Sequence, residues 1–233
     1  MDFKHYINYF KKNENMKLIG GGILIVGFII IWLGYGLLYL LSVMLVPAGF
    51  VMFILGSGGR ASESDIDKYI SNNMDKLEVY LSEDKHYRRR ILDHIPPREV
   101  EGYLYDEGVL LKKAKDSSIR SSKYTKAIFY VLSDELYITR RTISIVSTDK
   151  ENETLEIPYD TLTNVEIIRQ RGTKKDGKKS FLVKETFIKI SYGEGETFIT
   201  PIHDDITSDE YAELILKQVK AYKATKAAEE KAE

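Results

Sequence analysis

The stretch Leu18–Gly59, LIGGGILIVGFIIIWLGYGLLYLLSVMLVPAGFVMFILGSGG, carries no charged side chain over 42 residues and lies between Lys17 and Arg60. One helix of that length would extend about 63 Å, roughly twice the ~30 Å hydrocarbon core of a bilayer. Two helices fit that core, and the glycines on either side of Tyr35 supply the backbone freedom for a turn. The sequence therefore predicts a two-helix transmembrane hairpin in segment 18–59, with spans 18–33 and 37–55.

Charges around this segment predict its orientation. Lysines precede the first span in the N-terminal segment 1–17, basic residues follow the second, and the residues between the spans are uncharged: Lys4, Lys11, Lys12 and Lys17, then Arg60 and Lys68. The positive-inside rule places both termini and the soluble domain in the cytoplasm, which predicts a multi-pass protein of the cell (inner) membrane. A cleaved signal peptide is disfavoured, because a second apolar span follows at once and no A-x-A site is evident.

Composition narrows the classes of function. The chain has 34 Lys and Arg against 35 Asp and Glu, so no global charge favours a nucleic-acid partner. The absence of cysteine excludes disulfides and thiol catalysis. The glycine runs at 20–22 and 56–59 lack the Lys-Ser/Thr of a phosphate loop, and His203-Asp204-Asp205 lacks the spacing of a metal site. We expect no enzyme, no catalytic residue, no cofactor and no metal.

Segment 60–97 is predicted to be a helical juxtamembrane linker. An amphipathic helix is expected from Ser62 to Leu81, with an apolar stripe at Ile66, Tyr69, Ile70, Met74, Leu77 and Leu81. A second short helical stretch opens at Lys85 and stops at Pro96-Pro97. The stripe must be buried, either on the downstream domain or on copies of itself in an oligomer.

Segment 98–226 alternates with the period of β-strands and then changes to helix. Hairpin turns are expected at Ser133-Asp134 and Gly193–Gly195, and Thr207–Glu210 forms a capping box for one C-terminal helix. A charged tail, 227–233, follows. Strands are predicted near 102–112, 126–132, 135–139, 142–147, 154–157, 164–171, 181–192 and 196–200. This pattern predicts an α+β protein with an antiparallel β-barrel or roll of about seven strands, closed by the helix.

Two segments resemble bacterial pleckstrin-homology-like (PH-like) domains: Leu136–Ile143 (LYITRRTI) and Ile157–Val165 (IPYDTLTNV). Those domains similarly pair a "Leu-x-Ile-Thr-x-x-x-Ile" strand with an "Ile-Pro-Tyr-x-x-Leu-x-x-Val" strand entry, and the similarity covers about the last 110 residues. The resemblance implies a PH-like fold that serves as a membrane-proximal binding module, often beside transmembrane helices. It implies no enzyme activity. Residues before Lys123 depart from the pattern.

Two basic segments are the candidate sites for an anionic headgroup or ligand. The first is predicted as a hairpin loop at 169–179, and its cations are Arg169, Arg171, Lys174, Lys175, Lys178 and Lys179. The second is a Ser-rich connector that contributes Lys112, Lys113, Lys115, Arg120 and Lys123. Clustered cations beside glycines suit phosphate recognition, whereas a solvated loop tip is the plainer interpretation of the first segment.

These features predict a membrane-anchored scaffold or binding module that recognises a protein partner or anionic lipid headgroups and self-associates as a homo-oligomer. The alternative is an oligomeric membrane sensor, in which the soluble domain binds an anionic small ligand and rearranges the transmembrane hairpins. A ligand-dependent oligomer would favour the sensor, and a stoichiometric complex with a cytosolic protein the scaffold.

Overall fold

The computed structural model describes residues 3–11, 15–33, 36–57, 59–75, 77, 95–202 and 206–232. Over these residues the chain is an α+β protein with two compact units, Met1–Ile66 and Asp67–Glu233. Several predicted features lie outside the described residues: the turn at 34–35, Leu81, the helical stretch that opens at Lys85, and the cluster His203-Asp204-Asp205.

The N-terminal unit contains α1 (Lys4–Lys11), α2 (Asn15–Leu33) and α3 (Leu37–Ser57). In length and composition, Met16–Leu33 is a helix able to cross a membrane, and Leu40–Gly56 is a shorter apolar helical stretch. Only 11% of Met16–Leu33 is buried, and Trp32 is 87% exposed. A contiguous apolar surface of this kind needs a cover other than water.

Glycines allow α2 and α3 to pack at close range in opposite chain directions. A Cβ added at Gly20 would lie 2.4 Å from the Phe53 nitrogen, and one at Gly49 would lie 2.8 Å from the Leu24 nitrogen. A Cβ at Gly56 would lie 2.5 Å from the Lys17 nitrogen, and one at Gly27 would lie 2.7 Å from a Val46 side-chain carbon. At Gly22, by contrast, no atom of the described residues lies within 4 Å. Small residues therefore determine the contact between these two helices.

The C-terminal unit holds three antiparallel sheets. The four-stranded sheet has the order β1-β4-β5-β6, the two-stranded sheet is β2-β3, and the three-stranded sheet has the order β7-β8-β9. The strands are β1 (Arg98–Tyr103), β2 (Leu111–Lys113), β3 (Ile119–Ser121), β4 (Lys123–Val131), β5 (Glu135–Ser144), β6 (Lys150–Pro158), β7 (Leu162–Asp176), β8 (Lys179–Tyr192) and β9 (Glu196–Pro201).

Both predicted hairpin turns are confirmed, but two strand predictions are wrong. The predicted strand 102–112 is divided between β1 and β2, which belong to different sheets. The predicted strands 135–139 and 142–147 are one strand, because Arg140 and Arg141 continue the ladder opposite Ala127 and Lys126. The backbone pairing of a strand does not depend on its side chains, so two long polar residues do not interrupt it.

One hydrophobic core joins the four-stranded sheet, the three-stranded sheet and a C-terminal helix, α5 (Ile206–Ala232). Phe129 of β4 is fully buried and forms edge-to-face contacts with Phe198 of β9 and Tyr211 of α5, at centroid distances of 6.2 and 6.3 Å. Helix α5 begins one residue before Thr207, whose carbonyl and hydroxyl accept hydrogen bonds from Arg98. The helix includes most of the predicted tail 227–233, because it continues to Ala232.

The helix predicted from Ser62 onward is α4 (Glu63–Met74). Ser62 and Asp65 exchange hydrogen bonds at its start, and the apolar stripe is buried as predicted at Ile66, Tyr69, Ile70, Met74 and Leu77. From Asp67 onward the helix contacts the β-domain, by which we mean strands β1–β9 together with α5. The Tyr69 hydroxyl donates to the Ser144 carbonyl at 3.3 Å, and Arg141 donates to the Asn73 carbonyl at 2.9 Å. Within the Asp67–Glu233 unit, Tyr69, Ile70 and Met74 of the stripe therefore lie against the downstream strands.

Candidate functional site

The first basic segment lies on a β-ribbon, the distal part of the β7–β8 hairpin at 169–186. Strand β9 pairs with β8 only from Phe187 to Tyr192, so the ribbon is two strands wide. The prediction of a loop at 169–179 is wrong for most of its length: Arg169–Asp176 continue β7, and Asp176 pairs with Lys179 across a tight turn. Gly177 has a φ of +58°, which glycine adopts without strain.

Cross-strand pairing divides the ribbon into two faces. Residues directly opposite each other in an antiparallel pair project to the same side, and successive residues alternate. The outer face carries Arg169, Arg171, Thr173, Lys175, Ser180, Leu182, Lys184 and Thr186. The inner face carries Gln170, Gly172, Lys174, Asp176, Lys179, Phe181, Val183 and Glu185. The six predicted site residues are therefore not one cluster.

Contacts with the rest of the domain occupy the inner face. Val183 is buried, and the Glu185 carboxylate, whose side chain is 6% exposed, lies 3.4 Å from the Lys174 ammonium. An Asp176 carboxylate oxygen accepts a hydrogen bond from the Leu111 amide at 2.9 Å. The charge of Lys174 is thus compensated within the fold, where a buried carboxylate needs a cation.

Arg169 lies at the base of the ribbon and connects it to α5. Its guanidinium donates to both carboxylate oxygens of Asp209, at 3.1 and 2.5 Å. Both side chains are nearly half exposed, so we expect the pair to contribute about 0.2–1 kcal/mol. Arg169 therefore already has an anionic partner within the fold.

The outer face has a group of cations that no described residue neutralises. Arg171, Lys175 and Lys184 are exposed and form no ion pair with any residue that the structure describes. Lys178, in the turn, is exposed as well. We call Arg171, Lys175, Lys184 and Leu182 together the cationic face. Sequence reasoning missed Lys184 and Leu182, although continued alternation along β8 places both on the side of Lys175.

The second basic segment differs, because two of its five cations form ion pairs with acidic side chains. The Arg120 guanidinium lies 2.6 Å from the Asp67 carboxylate, and the Lys123 ammonium lies 3.1 Å from that of Asp106. Lys112 and Lys115 also have interaction partners, and Lys113 is exposed. The structure therefore does not bring these five residues into one free cationic surface.

A polar pocket of about 450 Å³ lies between α4 and strands β1, β3 and β4. Burial raises the pKa of Tyr103 to about 12 and also raises that of Tyr124, so both phenols are neutral near neutral pH. Its acidic and basic lining residues are Asp67, Asp75, Glu101, Asp116, Arg120 and Lys126. Over the described ranges, no group of three or more His, Cys, Asp or Glu side chains could hold a metal ion.

Comparison with known proteins gives no relative from which a role could be transferred. No protein-family model, no curated protein and no solved structure matches the chain. The candidate site is therefore identified from the structure alone. It is the cationic face, because its charged side chains are exposed and form no ion pair with any described residue.

Proposed function

We propose that this protein is a two-pass membrane protein of the cell (inner) membrane, whose PH-like β-domain is held at the cytoplasmic surface and binds anionic lipid headgroups. The cationic face is the observation that supports an anionic ligand. On this face Arg171, Lys175 and Lys184 are exposed and have no ion pair among the described residues. Phosphate and carboxylate groups are the natural partners of such a surface.

The lengths of the apolar helices support the two-pass anchor. Helices of 19 and 21 residues extend about 28 and 32 Å, close to the ~30 Å hydrocarbon core. The side chains that point away from the helix pair are apolar and exposed. Glycines lie where α2 and α3 contact each other, as is common between membrane helices. The basic residues before α2 and after α3 favour an orientation with both ends in the cytoplasm.

The arrangement of the β-domain supports the PH-like proposal. Without the β2–β3 pair, its core is seven strands in sheets of four and three, followed by one helix. Residues of both motifs are buried in that core, including Leu136, Ile157 and Val165, and the Tyr159 hydroxyl donates to the Leu132 carbonyl at 2.8 Å. A Cβ on Gly102 of β1 would lie 2.8 Å from that of Pro201 on β9, an approach that favours a barrel.

Tethering makes weak headgroup contacts effective. Each Lys or Arg near an anionic surface contributes about 1 kcal/mol, too little for a free domain to bind stably with three. A domain anchored in the same membrane is always at a high effective concentration near the headgroups. Weak contacts are then sufficient for the headgroups to occupy the site.

Hydrogen exchange tests the headgroup proposal on the full chain. The protein is placed in nanodiscs of phosphatidylcholine alone, or of phosphatidylcholine with phosphatidylserine. We expect slower exchange of the ribbon amides in the anionic nanodiscs, because no described strand pairs with the ribbon's outer edges. Added salt should reverse the effect. Equal exchange in both nanodiscs would contradict headgroup binding by the ribbon.

A further inference from the structure

The most exposed large apolar side chain that the structure describes in the Asp67–Glu233 unit is Leu182. It is 67% exposed, compared with 44% for Ile199 and 36% for Leu214. It lies in the middle of a regular strand, and its neighbours Phe181 and Val183 point to the inner face. A single exposed leucine is ordinary, so its meaning depends on what surrounds it.

Cations surround Leu182 on its own face. Lys184 is the next residue on that side of β8, and same-side residues of a strand lie about 6.6–6.8 Å apart. Thr173 is directly opposite Leu182, with Arg171 and Lys175 on the two diagonals. Diagonal neighbours in an antiparallel pair are about 7–8 Å apart, within reach of long side chains. The cationic face is therefore one apolar residue enclosed by three positive charges.

Two of these charges lie opposite each other. Arg171 pairs directly with Lys184 across the ribbon, and like charges in that position destabilise a sheet. The fold neutralises Lys174, on the other face, but leaves this pair uncompensated by any described residue. An external anion between the two side chains would relieve the repulsion.

We propose that the ribbon docks on the anionic bilayer through its cationic face alone, with Leu182 inserted beneath the headgroups and Arg171, Lys175 and Lys184 bound to phosphates around it. Lys and Arg stems are apolar and their ends are charged, so they suit the depth at which an inserted leucine meets the headgroups. This inference rests on the proposed headgroup binding and specifies the docking face and the inserted residue.

Depth measurement with single cysteines tests the docking face, because the chain has no native cysteine. A fluorophore is attached at Leu182→Cys on the outer face, or at Lys179→Cys on the inner face, in the full chain. Quenchers are placed on the lipid acyl chains of anionic nanodiscs. We expect strong quenching at position 182 and several-fold weaker quenching at position 179. Equal quenching at the two positions would overturn the proposal.

A charge exchange tests the same face without a label. Lys184→Glu converts the repulsive pair with Arg171 into an attractive one, so the ribbon should remain folded while docking falls about tenfold or more. Lys178→Glu changes the net charge equally in the turn and should have a several-fold smaller effect. Leu182→Ser should weaken docking about tenfold. Ribbon protection that persists in Lys184→Glu and Leu182→Ser would overturn the docking mode, although headgroup binding would stand.

Failure of headgroup binding itself would give a different result from failure of the docking mode. If anionic lipid leaves ribbon exchange unchanged in the native chain, headgroup binding itself fails. If anionic lipid protects the ribbon but positions 182 and 179 are quenched alike, only the assigned face and the insertion of Leu182 fail.

Discussion

Replacing Gly20 with leucine separates the two apolar helices, whereas the same replacement at Gly22 leaves them packed. At Gly20 a Cβ would lie 2.4 Å from the Phe53 nitrogen and 2.9 Å from the Gly49 carbonyl oxygen. Both are backbone atoms, so the helices must move apart. At Gly22 no atom of the residues that the structure describes lies within 4 Å. The two variants gain the same helix propensity and the same apolar area. We expect a cost at or above about 3 kcal/mol for Gly20→Leu.

Spin labels measure this separation. Leu18 and Leu55 are both exposed, one on each helix, and are replaced by cysteine in a chain that has no other. The distance distribution between the labels should lengthen and broaden with Gly20→Leu and stay unchanged with Gly22→Leu. If the two variants gave the same distribution, the close contact of α2 and α3 would be refuted.

Phe129→Ala should lower the free energy of unfolding of the β-domain by about 3–5 kcal/mol. The ring is fully buried and touches Phe198 of the three-stranded sheet and Tyr211 of α5, so its loss leaves a cavity where the sheets and the helix meet. A domain of this size has about 5–15 kcal/mol in total, so the variant is close to unfolding. The urea midpoint of the full chain in detergent, followed by pulse proteolysis, measures the change.

Ile199→Ala is the matched control for the core. Ile199 is also a large apolar residue in a strand of this domain, but it is 44% exposed. We expect a loss of less than about 1 kcal/mol there. Similar midpoints for the two variants would mean that the sheets and α5 do not share one core at Phe129.

Much of the fold could be predicted from local patterns. The uncharged stretch 18–59 predicts two apolar helices because 42 residues without a charge are too long for one membrane crossing, and helices α2 and α3 lie there. Turn residues predict the hairpins at Ser133-Asp134 and Gly193–Gly195, where Gly195 has a φ of +100°. The burial of Ile66 and Met74 follows from helical spacing alone. Residues that are close together in the sequence determine these helices, turns and buried positions.

The candidate site depends on contacts between residues that are distant in the sequence, and local sequence patterns do not show these contacts. The pairing of Arg120 with Asp67, 53 residues earlier, removes a cation that the sequence offers as free. Lys174 and Lys175 are adjacent in the chain, yet the register places one beside Glu185 and the other on the exposed face. Charge counting treats the basic segment 169–179 as one loop, whereas the strand period divides it. The exposed leucine becomes meaningful only once its neighbours across the ribbon are known.

The measurement that tests the central claim most directly is the sidedness of the two ends of the chain. Single cysteines replace His5 in α1 and Glu229 in α5, both exposed and neither among the basic residues that orient the anchor. A membrane-impermeant thiol reagent is then added to inverted and to right-side-out vesicles. A two-pass anchor with a cytoplasmic β-domain predicts that both cysteines react in inverted vesicles and that neither reacts in right-side-out vesicles. Reaction of the two cysteines from opposite sides, or of both from outside, would contradict it.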